Sequence, residues 1–163
     1  MDAPIYDCGM EIGRLTAVSD GLYWQLTAFC RTDRREVLRL YGVTGLRSEA
    51  FGVLLPEGVG LQLHRRLSKH ACPVLPEQWT VGREAEGFRP WRGRIEDQEI
   101  PDALLRQEAE GHTLALPADR EPLPLAEYAP HMEPITLDGR EYLTLVLRNG
   151  LPLAADPEGD FAT

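Results

Sequence analysis

Residues 22–31 read LYWQLTAFCR and residues 59–68 read VGLQLHRRLS. In the first stretch Leu22, Trp24, Leu26, Ala28 and Cys30 alternate with Tyr23, Gln25, Thr27, Phe29 and Arg31. In the second, Val59, Leu61, Leu63 and Leu67 alternate with Gly60, Gln62, His64, Arg66 and Ser68. A period of two marks a pleated strand with one buried face and one wetter face. These two stretches decide the fold class, and the rest of the chain is read outward from them.

Upstream, Ser19-Asp20-Gly21 separates Leu22 from a strand expected over Glu11–Val18. Asp-Gly between apolar runs signals a tight hairpin, because such turns need positive φ. Downstream, the polar turn Thr32-Asp33-Arg34-Arg35 leads to a third strand over Glu36–Val43. A helix capped by Asp33 and Glu36 is the competing reading of that segment. Ala50–Leu55 is expected as a fourth strand, and Pro56-Glu57-Gly58 turns the chain into the fifth. The expectation is an up-and-down antiparallel meander, with residues 1–8 as an N-terminal extension.

Periodicity lapses over residues 71–90, read as a crossing loop with one strand at Trp79–Arg83. A short strand at Trp91–Ile95 precedes the best helix candidate, Pro101–Glu110. There Pro101 suits the first turn, Leu104 and Leu105 form an apolar edge, and Gly111 suits the C-terminal cap. His112–Leu116 reads as a strand, followed by a proline-rich connector. Pro134–Leu137 and Glu141–Arg148 form a hairpin across Asp138-Gly139, and Leu151-Pro152-Leu153 a last edge segment. The fold class expected is mainly β: a β-sandwich or partly open barrel with one short α-helix. Residues 9–153 are read as a single β-rich domain with lobes 9–73 and 88–153, and residues 154–163 as a flexible tail.

Composition narrows function mainly by exclusion. The net charge of −9 is uneven: residues 1–73 carry nine Lys/Arg against eight Asp/Glu, and residues 74–163 eight against eighteen. An acidic second half is repelled by nucleic acid and by anionic membranes, so neither is an expected partner. No run approaches the roughly 20 apolar residues of a membrane helix. No secretory pattern opens the chain, so the cytoplasm is the expected location. Cys8, Cys30 and Cys72 are odd in number and widely spaced, which reads as reduced thiols.

The phrases GRLTAVSDGLYWQLTAFC (13–30), GVLLPEGVGLQLHRRLS (52–68) and DGREYLTLVLRNGLPL (138–153) resemble uncharacterised β-rich proteins of anaerobic bacteria. The resemblance implies a β-rich fold and brings no activity with it.

The densest polar cluster is His64, Arg65, Arg66, Lys69 and His70. Alternation places His64 and Arg66 on one strand face, where a guanidinium fork and an imidazole can receive a carboxylate or phosphate. Trp79 and Trp91 flank proline-rich or charged segments and are candidates to line a ligand groove. The ligand-binding candidates are therefore His64, Arg66, Lys69, His70, Trp79 and Trp91. His64, His70 and Cys72 match no zinc spacing, and no metal or cofactor is expected. Glu96, Asp97, Glu99 and Asp102 suit the start of the expected helix, where acids meet the positive end of its dipole. Gly58-x-Gly60 is followed by a strand, which excludes a nucleotide-binding loop. No catalytic constellation is identified. The expected function is a non-enzymatic binding or protein-interaction module, taking a protein or a small anion. The alternatives are a hydrolase or transferase using His64 and the 96–102 carboxylates, and a structural homo-oligomer joined through sheet edges.

Overall fold

A computed structural model of the protein describes residues 1–153; the expected tail, 154–163, lies outside the described residues. The fold is mainly β, with one short helix among the described residues. The chain divides into two compact units, Met1–Arg83 and the stretch from Glu84 onward.

The first unit contains β1 (Asp2–Asp7), β2 (Met10–Asp20), β3 (Tyr23–Cys30), β4 (Arg39–Thr44), β5 (Arg47–Val53), β6 (Leu55–Glu57), β7 (Gly60–Ser68) and β8 (Gln78–Gly82). They form one sheet in the order β5-β4-β8-β1-β2-β3-β7-β6. The two opening stretches are strands, and they are neighbours. Trp24 pairs with Leu67, Ala28 with Leu63 and Cys30 with Leu61, so their apolar faces coincide. Leu26, Ala28 and Cys30 are fully buried, while Leu22 and Val59, in the turns, are exposed.

The expected meander breaks after β3, which pairs with β7 while β4 lies across the sheet beside β8. The reason lies in the β4 sequence. Leu40, Tyr41, Gly42 and Val43 are all buried, without alternation. A strand buried on both faces needs an interior position, which β4 finds between β5 and β8. Residues 2–7, read as an extension, are a strand in mid-sheet. β1 pairs antiparallel with β2 and parallel with β8, matching Ile5 to Trp79 and Tyr6 to Thr80. The Thr80 hydroxyl donates to the Tyr6 carbonyl at 2.9 Å.

The sheet curls until its two ends approach, giving a barrel-like form. Phe51 is the extra residue of a bulge, since Leu40 pairs with Gly52 and Tyr41 with Ala50. Bulges bend a strand and sharpen its twist. The bend sends the Phe51 ring inward, 4.9 Å from Trp79 in an edge-to-face contact. The Phe51 carbonyl accepts a hydrogen bond from the Arg65 guanidinium of β7. Beside it, a Cβ on Gly52 would lie 3.0 Å from Leu63 Cδ1. The enclosed core holds Ala3, Ile5, Leu15, Ala17, Leu38, Leu40, Leu54 and Val81 along with the residues already named.

The second unit contains β9 (Arg89–Ile95), β10 (Gln98–Glu108), β11 (Gly111–Pro117), β12 (Glu133–Leu137), β13 (Arg140–Arg148) and β14 (Leu151–Pro152). They form an antiparallel sheet ordered β12-β13-β11-β10-β9, with β14 also on β13. The expected helix at Pro101–Glu110 is instead part of β10. Ile100 pairs with Gly93 and Ala103 with Trp91, so Pro101 and Asp102 occupy a bulge. A proline lacks the ladder donor, and a bulge tolerates that lack. Leu104 and Leu105, read as one helical edge, point to opposite faces of the sheet. Leu104 joins Phe88, Ala115, Leu137 and Tyr142. The one helix among the described residues is a 3-10 turn, Ala126–His131, inside the proline-rich connector. It is tied down by Gln98, whose amide oxygen accepts from Leu125 N at 3.0 Å and whose nitrogen donates to Glu127 at 2.8 Å.

If β1 is the strand that joins the two halves of the first sheet, Ile5→Ala should destabilise as a core truncation does. Ile5→Ala and Leu26→Ala should each cost about 2–5 kcal/mol. Chemical denaturation measures this, and an unchanged midpoint for Ile5→Ala would remove β1 from the core.

Candidate functional site

The outward face of β3 and β7 carries the residues singled out from the sequence. In register, Thr27 stands opposite His64, Gln25 opposite Arg66 and Phe29 opposite Gln62. Side chains alternate across a strand, so all six share the face opposite Leu26 and Leu63. The Arg66 guanidinium lies 3.8 Å from the centre of the Tyr23 ring. A cation over an aromatic face is held by the ring quadrupole and keeps its in-plane N–H donors free. His64 Nε2 is 2.9 Å from Gln62 Oε1. At the other end of β3, the Arg31 guanidinium lies 5.9 Å from the Phe29 ring. Neither Arg66 nor Arg31 has a carboxylate within ion-pair distance among the described residues.

The acids of this face flank it, Asp2 and Asp20 on the β1–β2 side and Glu57 on β6, opposite Gly60. Asp20 accepts from Gln25 at 3.3 Å and Asp2 from Thr16 at 3.0 Å. Across β3 and β7 the surface is cationic and hydrogen-bonding. Gly60 lets the Phe29 ring lie across β7, since a Cβ there would meet Phe29 Cζ at 2.8 Å. Tyr23, Phe29 and Arg31 were missed as site residues. The available signal was the Phe29-x-Arg31 spacing, which puts cation and ring on one strand face.

The remaining candidates separate from this face. Lys69 lies 4.8 Å from the Trp24 ring centre and donates to Ser19 Oγ. His70 is exposed, its backbone N–H taken by Ser68 Oγ at 3.0 Å. Trp79 and Trp91 are buried, 0% and 2% exposed, so neither offers a ring to an open groove. Trp24 is half-buried, and its indole N–H donates to the Cys72 carbonyl at 3.1 Å. That bond pins the 71–76 loop beside a cavity of about 260 Å³, lined by Thr44, Arg47, Glu49, Cys72, Val74 and Leu75 among others.

The cavity holds no activated group. Arg47 and Glu49 bind each other. Burial and the nearby Glu49 push the Cys72 thiol above its ordinary range, and its Sγ lies 3.4 Å from the Val74 carbonyl. The acids at 96–102 are likewise dispersed. Glu96 and Asp97 form the β9–β10 turn, both with positive φ. Glu96 accepts from the Tyr128 hydroxyl at 2.6 Å. Glu99 lies 3.9 Å from Arg94, and Asp102, displaced by its bulge, meets Arg120 at 3.0 Å and Arg140 at 3.5 Å. Among the described residues no group of His, Cys, Asp and Glu is placed to hold a metal. Among the described residues no helix is long and apolar enough to cross a membrane. No known protein family, curated protein or solved structure matches the chain.

The three thiols should differ sharply in reactivity. Cys8 is exposed, whereas burial, with a smaller push from Asp7, raises the Cys30 thiol to about 12. The thiolate is the reactive form. At pH 8 iodoacetamide should label Cys8 first, Cys72 slowly and Cys30 only after unfolding. Peptide mapping by mass spectrometry reads the order, and early labelling of Cys30 would contradict its burial.

Proposed function

We propose that the protein is a non-enzymatic binding or interaction module whose contact surface is the outer face of β3 and β7. The observation that carries this reading is Arg66, exposed, stacked on Tyr23 and, among the described residues, without a carboxylate partner, two residues from His64 on the same face. A guanidinium with no carboxylate partner among the described residues, on a chain of net charge −9, is a ready receptor for an anionic group. The reading is supported by the state of the other polar groups: the cavity cation is neutralised, Cys72 is raised, and three of the 96–102 acids are engaged. Three cysteines outside any disulfide, with Cys8 exposed, favour a reducing compartment and hence the cytoplasm.

A thermal-shift screen of small anions and acidic proteins tests this, repeated on a His64→Ala/Arg66→Ala variant. Each charge-assisted hydrogen bond removed costs about 1.5–3 kcal/mol, roughly tenfold to a hundredfold in affinity. The variant should keep its melting temperature and lose the shift. A ligand that stabilises both proteins equally would place the contact elsewhere.

A further inference from the structure

We infer that the occupant of this face is an extended acidic segment of a partner polypeptide, lying along β3 with carboxylates at Arg66 and Arg31. The inference rests on the binding role proposed above and gives that site a ligand class.

The argument is one of spacing and charge. Tyr23 and Phe29, the rings beneath the two guanidiniums, share one face of β3 and are six residues apart. At about 3.3 Å per residue the two ring-bearing positions, each with a cation over its ring, stand roughly 20 Å apart along β3. Between them lie Gln25, Thr27, Gln62 and His64, which offer hydrogen bonds. An extended peptide has the same rise, so carboxylates six residues apart on one of its faces meet both cations together. The polar residues between are placed to receive hydroxyl and amide side chains of the intervening positions. Two charges at fixed separation also select against a small anion, which can satisfy one guanidinium at a time.

The probe is a fluorescent nine-residue peptide with Glu at its second and eighth positions and Ser or Thr between them. Its binding is measured by anisotropy against wild type, Arg66→Gln, Arg31→Gln and the double variant. Control arms are a peptide with the two Glu adjacent, polygalacturonate, and a single-stranded oligonucleotide. Self-association of the unlabelled chain is followed by sedimentation equilibrium. Expected is tighter binding of the spaced peptide than of the adjacent one by tenfold or more, and a tenfold or greater loss in each single variant at unchanged melting temperature. Polygalacturonate or oligonucleotide binding that depends on Arg66 and Arg31, with no peptide binding, would keep the binding face and overturn the peptide. Self-association abolished by Arg66→Gln would make a second copy the occupant and overturn the proposal. Absence of any binding sensitive to either arginine would overturn both this inference and the role on which it rests.

Discussion

The first sheet depends on six residues at its centre. In the ladder order, β1 is the strand that pairs the β5-β4-β8 strands with the β2-β3-β7-β6 strands. On one side it is held by a long antiparallel ladder to β2. On the other it is held by a short parallel match to β8 and the Thr80–Tyr6 hydrogen bond. The curl of the sheet, the seam at Arg65 and the position of the β3–β7 face all presuppose that strand. Parallel pairing across a sequence distance of 74 residues is a non-local contact, with the loop-closure cost that such contacts carry. Burial of Ile5, Ala3 and Trp79 around it offsets that cost.

What could be read from the sequence follows from how each strand is buried. β3 and β7 have one wet face, so their alternation showed both their type and their facing. The hairpin of β12 and β13 was legible for a second reason, since Asp138-Gly139 demands positive φ at both positions. β4 was expected as a strand but misplaced in the meander, and β10 was misread as a helix, where burial on both faces erases alternation. In β10 this put Leu104 beside Leu105, and Pro101 completed a helix-like pattern. β1 was missed because DAPIYD is short and contains a proline, and only its place between two strands makes it essential.

The candidate site was half legible. Alternation located His64 and Arg66 correctly on one face, because that inference needs only the strand. The stacking of Arg66 on Tyr23 needs the pairing of β3 with β7, which local pattern does not contain. The tryptophans failed as ligand contacts for a related reason. Their proline-rich flanks suggested surface loops, whereas Trp79 and Trp91 lie on strands, β8 and β9, with both side chains buried. An unusual flank is weak evidence against the large apolar area that a tryptophan gains by burial.

Arg65 stands at the inward register of β7, opposite Leu26, in a row otherwise made of Leu61, Leu63 and Leu67. It is tolerated there because its side chain reaches solvent at the seam, where it also finds the Phe51 carbonyl. If β7 slipped by two residues, every side chain would keep its face and the apolar row would still match. The guanidinium, however, would stand opposite Ala28 or Trp24 and lose that acceptor. Arg65 is exposed, so that register forfeits a hydrogen bond from a charged donor, a modest penalty where solvent reaches the side chain. One arginine in a leucine row thus works as a register key, penalising the misalignment that period-two patterning alone would allow.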